Sequence, residues 1–305
     1  MNVDTTCLKP TRRATPAGLV LALLLGMAGC AVQRTGLPDA PSTGNGPLPT
    51  TGAATLSPAR IADILASPDR SEADRRNDQR RLPAQMLAFI GLRPGMVALD
   101  VSAGGGYTTE LLARAVGPTG KVYGQSAPRI ARPAPAAPEG AAAPVSTAAS
   151  SVPAGPMRPS PLALAARAAN PRAGNIVAVV APLESPLPAE LVPASLDLVT
   201  LMFNYHDLGH MGVDRAGMNR ALFAALKPGG LYVVADHAGR PGTGISEAGT
   251  LHRIEEAFLR AEVEAAGFRL IESGNFLRNP NDPRDRNTPE PPQPKDEFVL
   301  KFVKP

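Results

Sequence analysis

From residue 57 to the C-terminus, short apolar runs alternate with amphipathic stretches, and this alternation limits the fold more than any other feature. Val97 to Val101 (VALDV), Lys121 to Gly124, Ile176 to Val180 (IVAVV), Leu196 to Phe203 (LDLVTLMF) and Leu231 to Ala235 (LYVVA) read as strands. Helices are predicted over Thr108–Val116, Arg215–Leu226 and Ile254–Ala266, the last closed by Gly267. Strands of near-continuous apolar character separated by helices predict a parallel sheet covered on both faces, hence an α/β fold. Arg269–Ile271 and Phe298–Phe302 are expected to close the chain as strands.

Ahead of the first strand, Ser57-Pro58 pairs an N-cap with proline at the first helical position and predicts a short helix to about Ala66. Residues 69–81 are rich in both arginine and acids, the pattern of a solvated, self-paired helix face. The alternative puts Arg80 or Arg81 near a substrate anion. Gln85–Ile90 is expected to continue as an apolar helix ending at Gly91. Ala127–Arg172 is dense in proline and alanine, with Glu139 its sole acid, and reads as a flexible insertion whose end carries a helix from Ser160-Pro161 through Ala169.

The first 29 residues read as an export signal: Lys9, Arg12 and Arg13 precede an uncharged apolar run, Ala17–Ala28, too short to span a bilayer. Met27-Ala28-Gly29-Cys30 resembles a bacterial lipobox, which makes Cys30 the expected acylated first residue of an exported chain, facing the periplasm in a Gram-negative cell. A plain cleaved signal and an uncleaved anchor are the alternatives, and Arg12-Arg13 is a faint twin-arginine hint. Residues 30–54, rich in Pro, Gly, Ser and Thr, form the expected tether, and 55–305 the folded domain. The formal net charge of +4 is partly carried by the signal, and aromatic residues are few, so nucleic acid is not an expected partner. Cys7 and Cys30 both lie at the N-terminus, which excludes a disulfide-stapled fold.

Asp100-Val101-Ser102-Ala103-Gly104-Gly105-Gly106-Tyr107 follows the first strand. Glycines between a strand and a helix let backbone N–H groups approach a ligand closely. A dinucleotide fingerprint is not met, because Thr109 stands where its third glycine belongs, and no P-loop lysine follows. On these residues the chain resembles the class I S-adenosylmethionine-dependent methyltransferases, over about 57–305 apart from the insertion. The Lys227-Pro228-Gly229-Gly230 turn, Tyr205-His206-Asp207 and Arg278-Asn279-Pro280 narrow the likeness to a group of bacterial predicted methyltransferases. The resemblance implies a doubly wound, mostly parallel, Rossmann-like sheet with an antiparallel C-terminal strand. It also implies S-adenosylmethionine as cofactor, held by Asp100, Ser102, Gly104, Gly105 and Gly106, with Gln125 and Ser126 where the family carries a ribose-binding acid. A serine at the first glycine position is tolerable if its φ is negative and costly otherwise.

All four histidines, His206, His210, His237 and His252, lie in the second half. If the fourth and fifth strands are neighbours, His206 and His237 share the rim of the glycine turn. His206 is the expected base for an acceptor that must lose a proton, with Asp207, Tyr205 or His237 orienting it or the acceptor. The bland alternative is histidines that only hydrogen-bond loop carbonyls. His206 and His210 with Asp236 or His237 have metal-site spacing, but Gly209 is expected to break that helix and no thiolate is near, so no metal is predicted. His252-Arg253 either contacts substrate or caps a helix. The leading reading is methyl transfer to an unidentified small molecule; the second is a non-catalytic exported binding protein using the same cleft, and a metal-dependent hydrolase is the third.

Overall fold

The structure is a computed structural model and describes residues 54–128, 160–289 and 292–305. The expected signal, Cys30, nearly all of the tether and residues 129–159 of the insertion lie outside these. Seven strands form one sheet: β1 (Val97–Val101), β2 (Lys121–Ser126), β3 (Ile176–Val180), β4 (Leu196–Met202), β5 (Leu226–His237), β6 (Arg269–Gly274) and β7 (Glu297–Val303). Their spatial order is β3-β2-β1-β4-β5-β7-β6. The first five run parallel, and β7 is antiparallel to both β5 and β6. The expected doubly wound α/β sheet with an antiparallel C-terminal strand is the one observed.

Two cores explain why the strands read as unbroken apolar runs. Ala98, Leu198, Val233 and Val299 face α3 (Pro83–Ile90) and α4 (Tyr107–Val116), with α1 (Pro58–Ala66) behind them. The alternate residues Leu99, Val199, Val234 and Leu300 face α7 (Arg215–Ala225) and α9 (Glu256–Ala265). In β1, β4, β5 and β7 period-two side chains are buried on both sides, whereas the edge strands β3 and β6 expose residues such as Val180 and Ile271; each buried Val or Leu contributes about 1.5–3 kcal/mol. Ser57 caps α1 as expected, its hydroxyl accepting from the Arg60 N–H at 3.2 Å.

Two local expectations change, and one is met. The Lys-Pro-Gly-Gly segment lies within β5: the ladder to β4 starts at Leu196–Leu226, slips, and resumes at Leu198–Leu231. The helix expected at the end of the insertion is present: α5 (Ser160–Ala168) packs on β2 and β3 with Leu164 buried. Gly124 in β2 makes room for it, since a Cβ there would lie 3.0 Å from Leu164. Finally, Gly209 does not break a helix: α6 (Tyr205–His210) runs through it, and a Cβ there would displace the Ile245 side chain.

Arg253 neither meets substrate nor caps a helix. It is fully buried, with Nη1 2.8 Å from Asp282, and it donates to the carbonyls of Ala238 and Arg286, tying the β5–α9 connection to the β6–β7 loop. Removing one member of such a pair leaves the other charged and dry. Arg253→Met is expected to cost about 3–5 kcal/mol in urea unfolding; a loss under about 1 kcal/mol, the value of an exposed pair, would contradict the buried tie.

Candidate active site

In an open parallel sheet, ligands sit at the carboxyl ends of the strands where the winding reverses. Here that point lies between β1 and β4, which are neighbours although the chain leaves them toward opposite edges of the sheet. Both strands end in a left-handed residue that is not glycine: Ser102 at φ 54° and Phe203 at φ 62°. Of the two cases open for Ser102, the positive φ is the costly one. Such backbone costs on the order of 1–3 kcal/mol per residue and persists only where neighbours hold it. Ser102 is held by Gln125, whose Oε1 accepts its N–H at 2.9 Å, and by Asn204, whose Oδ1 accepts from its hydroxyl at 2.5 Å. The crevice has two adjoining lobes of about 600 and 390 Å³, which share Ser102, Gly104, Ser160 and Asn204.

The glycine turn divides its labour. A Cβ on Gly104 would meet nothing within 4 Å, so this glycine borders open space at φ +57°. On Gly106 it would strike Leu164 at 2.8 Å and Arg167 at 2.9 Å, so that glycine serves the packing of α5. Arg167 also takes the Gly105 carbonyl at 2.8 Å, and its guanidinium is shared by Asp74 and Glu110. Asp100 braces the turn: its two oxygens accept from Thr109 and Thr200, each at 2.7 Å. Burial raises its pKa to about 6, against the hydrogen bonds of the two threonines. Gln125 is spent inside the protein, its amide also donating to the Ala181 carbonyl at 2.7 Å, so it is not free for a ligand hydroxyl. Ser126 is the opposite case. Its hydroxyl is buried, lines the smaller lobe and has no partner among the described residues.

A cation stands over the larger lobe. The guanidinium of Arg81, at the end of α2 (Glu72–Arg81), lies 3.9 Å from the centre of the Phe203 ring and makes no hydrogen bond or ion pair among the described residues. Burial and the neighbouring charge of Arg80 lower its pKa to about 10. Of the other arginines of residues 69–81, Arg70 pairs with Asp78 at 2.7 Å and Arg76 with Glu72 at 3.9 Å within the segment, but Arg70 is buried and Arg80 reaches Glu297 at 3.0 Å, so the face is only partly the solvated, self-paired one expected. A larger cavity of about 900 Å³ opens along Arg76, Gln79 and Arg80 of α2, toward Arg278 and Lys295. Arg80, which lines it, lies 5.4 Å from the centre of the Phe203 ring, and Glu297, also in its wall, lies 2.9 Å from His237.

The histidines gather beside the crevice. β4 and β5 are neighbours, and the ring centres of His206 and His237 are 5.4 Å apart, those of His206 and His252 5.6 Å. Asn204 joins this cluster to the glycine turn, donating to Asp207 Oδ2 at 2.8 Å while accepting from Ser102. His206 is 3% exposed and has no open ring nitrogen: Nδ1 meets Asp236 Oδ1 at 2.6 Å and Nε2 faces Asp207 Oδ1 at 3.1 Å. His206, expected as a base with Asp207 among its orienting partners, stands in a carboxylate–imidazole chain between Asp236 and Asp207. Tyr205 is turned away, its hydroxyl buried against Asn219 and Glu262, so it orients neither the base nor an acceptor. His237 is kept neutral by burial, at a pKa of about 3, and lies 2.9 Å from Glu297, which burial raises to about 7. His210 is exposed and packs on Gly249, apart from the cluster. Asn204 was not singled out by sequence reasoning, although it precedes Tyr205; Asp236 and His252 were weighed there, as a metal ligand and as a substrate contact, and the fold brings all three together.

Residues 67–132 match the protein-L-isoaspartate(D-aspartate) O-methyltransferase family. Among solved structures, an S-adenosylmethionine-dependent methyltransferase from Aquifex aeolicus is similar, with 16% identity, a TM-score of 0.50, and coverage of 82% of this chain and all of that one. An arsenic(III) S-adenosylmethionine methyltransferase from Chlamydomonas reinhardtii has 16% identity, covers 82% of this chain and 74% of that one, and gives a TM-score of 0.47. No curated protein sequence matches the chain. The chain has the class I methyltransferase fold. Within that fold the glycine turn, Arg81 and Ser126 border the crevice, and the histidine cluster flanks it.

The buried Asp100 carries a pH signature. Its folded pKa, about 6, is above the ordinary 3.8, so the stability it contributes is fully present below about pH 4 and is lost as pH rises through 6. Relative to wild type, Asp100→Asn should therefore gain up to about 3 kcal/mol between pH 4 and pH 7 in urea unfolding. A difference independent of pH would contradict the raised pKa.

Proposed function

We propose that the protein transfers a methyl group from S-adenosylmethionine to a small-molecule acceptor. The observation that carries this reading is the unpaired Arg81 guanidinium at one end of the crevice and the orphaned Ser126 hydroxyl at the other, with open space at Gly104 between them. A half-buried cation without a counter-ion and a dry hydroxyl are each costly unless a ligand completes them. An amino-acid nucleoside has the matching groups: a carboxylate for Arg81 and ribose hydroxyls for Ser126. Ser126 thus does the work that an acid does elsewhere in the family, and Gln125 is left to hold Ser102.

Bound this way, the cofactor supplies an electrophilic methyl, and the protein's task is to align an acceptor with it. Asn204 places the acceptor side next to Asp207, which is partly exposed, with His206 and Asp236 behind it. Calorimetry of the full chain should show S-adenosylmethionine binding. Arg81→Met and Ser126→Ala should weaken it by roughly 10- to 100-fold and 3- to 10-fold respectively, the loss of a charged and of a neutral hydrogen bond. Wild type giving no heat at millimolar cofactor would remove the reading. It would favour the non-catalytic binding protein, whose support is Gln125-Ser126 standing where the resembled family carries a ribose-binding acid.

The location of this activity is also proposed. The Lys9–Arg13 charges, the apolar run and the position of Cys30 support lipid anchoring of an exported chain. Among the described residues no helix is long and apolar enough to cross a membrane. Cells grown with labelled palmitate should label the wild-type chain and not Cys30→Ala, which should leave the membrane fraction; equal labelling of both would refute acylation at Cys30.

A further inference from the structure

We infer that His206, Asp207 and His252 form a binding site for one divalent transition-metal ion of the zinc class. Asp236 fixes the tautomer of His206: its Oδ1 takes the Nδ1–H at 2.6 Å and its Oδ2 the backbone N–H at 2.8 Å. That leaves the lone pair of His206 Nε2 directed at Asp207 Oδ1, 3.1 Å away. Two acceptors facing each other at this distance need a positive centre between them. His252 Nδ1 converges on the same oxygen at 3.0 Å, and the three ligand atoms all lie within 4.8 Å of one another. Ligands about 2.0–2.1 Å from a shared ion stand roughly 3.0–3.4 Å apart in tetrahedral or octahedral geometry. The two observed contacts already match.

The surroundings are those of a built site. Metal-binding imidazoles and carboxylates are oriented by outer hydrogen bonds, and here Asp236 holds His206 while Asn204 holds the other oxygen of Asp207 at 2.8 Å. His252 is kept in a strained left-handed conformation, φ 51°, next to the buried anchor Arg253. Its side chain is 42% exposed, which gives an ion an entry path and an open side. Two imidazoles and one carboxylate suit zinc, cobalt, iron or nickel better than magnesium or calcium. On the open side such an ion would acidify an acceptor hydroxyl or thiol. That use rests on the methyl-transfer reading, whereas the metal site itself does not.

The alternative occupant is protons, one on each imidazole. Zinc decides between them without cofactor or substrate. The full chain, purified without chelator, should carry a single zinc by elemental analysis, and Zn²⁺ titration of the stripped protein should restore it. His252→Asn keeps a residue that tolerates the left-handed backbone, and Asp207→Asn keeps the shape of the carboxylate. Each should weaken Zn²⁺ binding at least about 100-fold with the thermal unfolding curve little changed, while His210→Asn on the same helix leaves it intact. No zinc in wild type, zinc unaffected by both variants, or loss in one variant alone would each overturn the three-ligand site.

Discussion

The site depends on a forced backbone turn at the end of β1. Ser102 must adopt a left-handed φ if the chain is to leave the sheet and begin α4 over the crevice, and a serine does so only under constraint. The Gln125 side chain supplies it from β2 and Asn204 from the loop after β4, so the neighbours of β1 on both sides clamp the same residue. Gly104 then faces open space because Ser102 has already turned the chain. The same Asn204 reaches Asp207, so the clamp that opens the crevice also sets the position of the histidine cluster.

Much of the fold was legible because strands buried on both faces leave a plain trace in sequence. VALDV, IVAVV, LDLVTLMF and LYVVA are all strands in the structure, and the helix start at Ser160-Pro161 is where it was expected. Glycine was harder to interpret, since its reason for being there is a neighbour that one sequence does not reveal. Gly106 and Gly124 answer to Leu164, from beyond the insertion, and Gly209 answers to Ile245. At the site, residue type indicated the neighbourhood and not the direction. Tyr205 and His206 are adjacent in sequence, yet α6 sends the tyrosine into the core and the histidine to the rim. Gln125 and Ser126 are likewise adjacent, and the pleat of β2 sends only the serine to the crevice.

The electrostatics separate the site from the scaffold. Around it, charge is paired: Arg253 with Asp282, and Arg114 with Asp69 and Glu110. Within it, one cation has only an aromatic face, one buried hydroxyl has no partner among the described residues, and His206 Nε2 faces a carboxylate oxygen of Asp207 at 3.1 Å. Unbalanced groups in a well-satisfied structure point to ligands. Their spacing places an anion and a hydroxyl along the crevice and positive charge beside it.

A crystal structure of the protein with S-adenosylhomocysteine tests this account most directly. The account predicts the ligand's carboxylate within hydrogen-bond distance of Arg81, a ribose hydroxyl on Ser126, and Ser102 still left-handed beneath it. A ligand seated elsewhere, or an Arg81 that remains unpaired with the nucleoside bound, would contradict it.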